Sequence, residues 1–242
     1  MPVAAAAASD RALYRGYRFP PEIIAHAVWP YFRFHLSFRD VQDLLAERGV
    51  IVSHETIRQW CTKFGAAFAR GLRRRRARPG DKWHLDEVAL KICGKRYWLW
   101  RAVDQSGVVL DILVQSRRDQ QAAERFLRQV VDGVGYEPRV VITDKLASYA
   151  PAIRQVLPNS EHRRHKRLNN RAENSHLPTR KRERVLQRFK SAEHAQRFLG
   201  PFSAVSNHFR PRRHLFTAST YRQIRAERHV IWRDVTLGDV RP

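Results

Sequence analysis

The chain has 242 residues, 43% of them hydrophobic, enough for one substantial domain or a core domain with a small accessory one, which argues against a disordered polypeptide. Lys and Arg number 46 against 23 Asp and Glu, a net charge of +23 that favours phosphate backbones as partners and makes nucleic acid the leading class. An anionic membrane surface would also suit the charge, but no apolar run approaches the roughly 20 residues that span a bilayer.

The first residues, alanine-rich and without a basic region ahead of them, read as a disordered leader over 1–16. A helix is expected from Pro20, with Ile24, Ala27, Val28 and Tyr31 on one face and Pro30 limiting or kinking it. Ser37, followed three residues on by Asp40, starts a second helix with Val41, Leu44 and Leu45 as its stripe, and Gly49 ends it. Ser53 caps a third helix whose buried face is Ile57, Trp60, Cys61 and Phe64. Its other face carries His54, Glu55, Arg58, Gln59 and Lys63. Two helices joined around Gly49, the second presenting Arg, Gln and His outward, match a helix-turn-helix, expected over 17–72. A plain helical hairpin with a solvated face is the alternative, which the charge of the chain disfavours. Arg73, Arg74, Arg75 and Arg76 then open a basic linker, 73–80, ending in Pro79-Gly80.

Beyond it the periodicity changes from helical to alternating. Trp83 to Ile92, Tyr97 to Val103 and Val108 to Val114 read as three antiparallel strands, with turns at Gly94-Lys95 and at Asp104 to Gly107. Asp119 to Val131 reads as a helix burying Ala122, Ala123, Phe126, Leu127 and Val130. Arg139 to Thr143 is a short apolar strand of the kind covered on both faces. Leu146 to Leu157 is expected to be helical, Glu161 to Lys166 an edge strand, and Asn169 or Asn170 the cap of a helix carrying Glu173. Pro178 should kink that helix or start a new one through Val185, Leu186 and Phe189. The order βββαβα is that of ribonuclease-H-like nucleases and integrases. The fold class expected is therefore α/β: a ribonuclease-H-like mixed sheet over 81–215, preceded by a small all-helical helix-turn-helix domain and followed by a helical tail over 216–242. Cys61 and Cys93, far apart and without CxxC spacing, are expected to be two small buried thiols in a reducing cytoplasm.

Three acids carry the chemistry. Asp86 lies in the first strand, Asp144 at the end of the fourth, and Glu173 in the late helix. Such a set can hold two divalent ions for in-line attack on a phosphodiester. Each has a plainer reading: Asp86 as a solvent-facing strand residue, Asp144 as the cap of the next helix, and Glu173 as an ion pair with Arg171 or Arg180. Glu87 points to the opposite face from Asp86, so only one of the two can join a site, and Asp86 is the choice. Asp104 fits a hairpin turn and Asp119 a helix cap. His165, Lys166, Asn170, Arg171, Arg180 and Lys181 surround Glu173 in sequence and suit phosphate contacts, since so much like charge repels itself without a polyanion.

With these residues in view, the sequence resembles the DDE transposases of bacterial insertion sequences, in the IS-six family. The resemblance runs from about Tyr17 to Arg213. It is carried by Phe38-Arg39-Asp40-Val41, Asp86-Glu87, Arg101-Ala102-Val103-Asp104, Ser116-Arg117-Arg118-Asp119, Thr143-Asp144-Lys145, Ser148-Tyr149, Glu161-His162-Arg163 and Leu168 to Asn174. Glu173 follows Asp144 by fewer positions than is usual in that family. The resemblance implies that Asp86, Asp144 and Glu173 are the catalytic, metal-binding triad for Mg²⁺ or Mn²⁺, two ions per site. It also implies that Lys145 lies by the DNA and that the helix-turn-helix reads the element's terminal inverted repeats. Double-stranded DNA, both element ends and target, is the implied partner, with a homodimer or larger synaptic complex, no membrane and no small-molecule substrate. The implied setting is the bacterial cytoplasm, in association with the nucleoid. The competing readings are a non-catalytic DNA-binding regulator, a ribonuclease-H-like nuclease without strand transfer, and a decayed transposase.

Overall fold

The computed structural model describes residues 13–144, 146–164, 176, 183, 189–211 and 215–238. The chain forms two compact units: Ala77–Gly200, and the residues up to Arg76 together with those from Pro201 on.

In the second of these, α1 (Pro21–Arg33) starts with Pro at its first turn and runs through Pro30 to Arg33, so the proline does not end it. A proline removes only one backbone bond, and Ile24, Ala27, Val28 and Tyr31 hold the helix against the core. The capping box predicted for α2 (Phe38–Ala46) is present: Asp40 N donates to Ser37 Oγ at 3.1 Å, and Ser37 N donates to Asp40 Oδ2 at 2.7 Å. Caps of this kind stabilise by about 1 kcal/mol. Gly49, at φ 75°, turns the chain toward α3 (His54–Arg74), capped by Ser53. That helix extends to Arg74, so Arg73 and Arg74 form its last turn and are not part of a linker.

The remaining pieces of this unit were least visible beforehand. Helix α6 (Ala192–Phe209), which belongs to this unit from Pro201 on, was not anticipated, and α7 (Ala218–Leu237) fills most of the expected helical tail. The sequence divides 201–242 between the catalytic domain and a tail; here the described residues from Pro201 on complete the core of the helical unit. Trp232 packs edge-on against Phe68 (5.4 Å) and Phe209 (5.8 Å), Phe209 also meets Trp29, and the Tyr14 hydroxyl donates to the Thr236 carbonyl at 2.6 Å. Aromatic burial of this density supplies the apolar area that three short helices lack.

The other unit is built on a five-stranded mixed sheet in the order β3-β2-β1-β4-β5. Its strands are β1 (Lys82–Ile92), β2 (Lys95–Asp104), β3 (Val109–Gln115), β4 (Val140–Thr143) and β5 (Glu161–Arg164). The first three are antiparallel in sequence, while β4 pairs parallel to β1 and β5 parallel to β4. This is the ribonuclease-H-like arrangement. The β1–β2 turn is Cys93-Gly94, both at positive φ (49° and 80°), as a two-residue hairpin demands. Cys93 is consequently exposed, a correction to its expected burial; Cys61 is buried. Helix α4 (Gln120–Val134) is capped by Asp119 and closed by Gly135 in the left-handed region. Helix α5 (Tyr149–Val156) starts later than the predicted Leu146. Trp83, Leu85, Trp100 and Ala102 form one face of the sheet and pack on Phe126, Leu127 and Val130 of α4 and on Tyr149 and Ile153 of α5. All of β4 is buried, as its unbroken apolar run predicts. No helix among the described residues is long and apolar enough to cross a membrane.

Candidate active site

Strand alternation decides where the first acid goes. Trp83, Leu85 and Glu87 face the helices, so His84 and Asp86 face the other side of the sheet. Asp86 pairs in register with Arg101 of β2, and its Oδ2 lies 3.4 Å from His176 Nε2. Its side chain is 15% exposed, whereas Arg101 is 2% exposed. Burial pulls the Arg101 guanidinium down to about 10, against the opposing pull of Asp86, so it stays charged at neutral pH.

Asp144 follows β4 directly. The parallel register Lys82–Val140, Trp83–Val141, His84–Ile142, continued by two residues, brings Asp86 level with Asp144. Asp144 Oδ1 accepts from Leu146 N at 2.9 Å, and the cap position of α5 belongs to Ser148. Asp144 therefore holds a turn and does not cap the next helix. Burial raises the Tyr149 hydroxyl well above its ordinary range, and the charges of Glu87, Asp86 and Asp144 raise it further.

Glu87 lies on the opposite face from Asp86, as alternation requires. Tyr149 Oη donates to its Oε2 at 2.7 Å and Arg118 Nε to its Oε1 at 2.8 Å. Burial pushes its carboxyl up to about 6, with those two bonds opposing the shift. Asp104 accepts from the amides of Gly80, Ser106 and Val108, the turn-holding role expected of it.

Glu173 lies outside the described residues, as do Lys145, His165, Lys166, Asn170, Arg171, Arg180 and Lys181. Among the described residues no group of three His, Cys, Asp or Glu could hold a metal ion. Asp86 and Asp144 are hard oxygen donors of the kind Mg²⁺ takes, and suit it as two members of a larger set. Of the residues predicted to touch DNA, His54, Arg58, Gln59 and Lys63 are exposed on α3, as are Arg74 and Arg75, while Arg73 and Arg76 are half-buried. Arg58 is held by Glu55 through two bonds, Nη2 to Oε1 at 2.6 Å and Nε to Oε2 at 2.8 Å, which keep the Glu55 carboxyl down at about 2. Arg101 and His176 were not singled out as site residues. An arginine inside the aromatic strand Tyr97 to Val103 was the available signal for the first; the second is visible only through its contact with Asp86.

A family model described as a DDE domain matches residues 80–212. The transposase for insertion sequence-like element IS431mec of Staphylococcus aureus is 32% identical over 185 residues, 74% of this chain and 82% of the relative. The transposase for insertion sequence element IS257 in transposon Tn4003, also from Staphylococcus aureus, is 31% identical over the same coverage. Among solved structures, the HTLV-2 integrase catalytic core domain in complex with magnesium, in its trimeric form, is 16% identical. It covers 62% of this chain and 99% of that one, with a TM-score of 0.40. The matched domain takes in the whole sheet with Asp86 and Asp144, and the relatives align over most of their length: the chain belongs to the DDE transposases of the IS-six insertion-sequence family.

Proposed function

We propose that this transposase cleaves DNA at the terminal inverted repeats of an insertion sequence and joins the freed ends to target DNA. The observation that carries this reading is the placement of Asp86 on β1 and of Asp144 directly after the neighbouring parallel β4, with the buried Arg101 cation opposite Asp86. Glu173 is the third carboxylate of the proposed set. His176, three positions on in sequence, contacts Asp86, which supports a chain path that returns to this site. The proposed cofactor is Mg²⁺, or Mn²⁺, two ions per site. When bound they would make a water or a DNA 3′-hydroxyl nucleophilic and offset charge developing on the phosphate.

The chain's own residues do the rest. Asp86 presents its oxygens from β1 and Asp144 from just past the end of the adjacent β4, and Arg101, opposite Asp86, supplies a positive charge in a largely covered position. Exposed Arg58, Gln59, His54 and Lys63 on α3 suit the reading of the element's ends in the major groove, with Arg73 to Arg76 and the basic run around Glu173 holding the backbone. The proposed division of labour is DNA recognition by the helical unit, through 17–72, and chemistry by the sheet-bearing unit, Ala77–Gly200. Because two ends must be processed together, a homodimer or larger synaptic complex is proposed, acting in the cytoplasm on nucleoid DNA.

The test is cleavage and joining of a labelled DNA carrying the element's ends, with Mg²⁺ or Mn²⁺, by the wild type and by Asp86→Ala, Asp144→Ala and Glu173→Ala. Nicked and joined products from the wild type only, with DNA binding retained in all four, are expected. Cleavage that persists in the variants would move the site elsewhere. Binding without any cleavage would leave a regulator or a decayed transposase, and cleavage without joining a nuclease.

A further inference from the structure

We propose that Glu87 is a positioning residue for the active site: its buried carboxylate, gripped by Tyr149 and Arg118, sets the spacing between Asp86 and Asp144. This rests on the reading of those two aspartates as metal-binding residues.

The Glu87 side chain is fully buried, on the face of β1 that the helical core covers, opposite Trp100 in the β1–β2 register. A carboxylate there is costly unless bonded, and a well-packed apolar residue would serve stability as well or better. What the carboxylate adds is connection. Its Oε2 accepts from the hydroxyl of Tyr149, a fully buried ring set edge-on to Trp100 at 5.5 Å. Its Oε1 accepts from both Nε and Nη2 of Arg118, whose guanidinium also lies 4.5 Å over the Trp98 ring.

Followed outward, these bonds lead from one aspartate to the other. Asp144 Oδ1 accepts from Leu146 N, and the Leu146 carbonyl accepts from Tyr149 N at 3.3 Å. The Tyr149 hydroxyl donates to Glu87, and Glu87 is joined through the backbone to Asp86. The turn that carries Asp144 is thereby tied to the strand that carries Asp86, and Arg118 fastens the β3–α4 connection to the same carboxylate. A carboxylate pair that shares metal ions needs its separation held to a few tenths of an ångström, and partners behind the ligands commonly supply that constraint.

Tyr149→Phe removes one hydroxyl from this chain and keeps the ring, so it separates positioning from packing. Glu87→Gln keeps an acceptor for Tyr149 while losing the charge that faces Arg118. Three readouts are needed on the full chain: thermal unfolding, affinity for the element's end, and Mn²⁺ binding followed by titration of the metal alone alongside the metal dependence of cleavage. Tyr149→Phe is expected to stay folded and bind DNA as the wild type does, while its half-saturating Mn²⁺ rises on the order of tenfold and excess metal restores much of the cleavage. Glu87→Gln is expected to show a smaller shift in the same direction. A folded Tyr149→Phe with unchanged Mn²⁺ affinity and unchanged cleavage would overturn the proposal and reduce Glu87 to a structural acid. If Asp144→Ala also leaves Mn²⁺ binding unchanged, the failure belongs to the metal-site reading itself.

Discussion

Arg101 stands opposite Asp86 in the β1–β2 register, a guanidinium 2% exposed beside a carboxylate that is itself mostly covered. Removing one member of such an arrangement leaves the other charge without its counterpart, which costs about 3 kcal/mol or more. Arg101→Met should therefore lower the unfolding free energy by that order, measured by urea unfolding, and Arg101→Lys should recover part of it. Equal stability of Arg101→Met and the wild type would show that the pair contributes nothing to the fold.

Glu55 holds the Arg58 guanidinium in a two-bond grip on the exposed face of α3, whereas Lys63 on the same helix is an exposed point charge. Arg58→Ala is predicted to cost about 1–3 kcal/mol on the terminal repeat and far less on scrambled DNA. Lys63→Ala should weaken both alike and lower the salt slope by about 1. Fluorescence anisotropy across a salt series distinguishes these outcomes. An Arg58→Ala loss shared equally by both DNAs would make it a backbone contact.

His208 is buried, donates from Nε2 to the Arg228 carbonyl at 2.7 Å, and is pulled by burial from 6.5 down to about 4. Since the carbonyl only accepts, the neutral ring donates from Nε2. A lowered folded-state value means the unfolded chain takes the proton first. Its contribution is thus complete above about pH 6.5 and lost as the pH falls toward 4, amounting to at most about 3 kcal/mol. His26 and His229 of the same unit shift in the same direction. Unfolding midpoints at pH 7.5 and 5 should therefore differ, and His208→Gln should narrow the difference.

At Gly71 of α3 an added Cβ would stand 2.5 Å from Cγ1 of Val235 on α7. The β-branched valine has little freedom to turn aside. Gly71→Ala should thus lose about 1–3 kcal/mol to overpacking, offset by nearly 1 from helix propensity. Combining it with Val235→Ala should leave the pair more stable than the sum of the single losses, in a double-mutant cycle. Additive effects would mean the two helices do not touch there.

Much of the fold, and the strand placement of Asp86 and Asp144, could be read in advance because their signals are local. Alternation in Trp83 to Ile92 set Asp86 and Glu87 on opposite faces, the β-branched run before Asp144 identified a strand covered on both sides, and Ser37-Asp40 and Asp119 announced their caps. What could not be read depends on which distant segment arrives. Arg101 looks like any charged strand residue until β1 brings Asp86 opposite it. Glu87 looked redundant beside Asp86, yet Tyr149 and Arg118, both remote in sequence, converge on it.

The helical unit shows the same division. Its three N-terminal helices were plain from 3.6-residue periodicity, but Trp232, Phe209 and the close approach at Gly71 became meaningful only once the C-terminal segment returned to them. The order of elements, the acids on and just after the central strands and the cationic character that calls for a polyanion are all local properties of the chain. Tertiary structure alone decided which charges neutralise which, because the energy of a buried charge depends on neighbours that the chain brings together only when it folds.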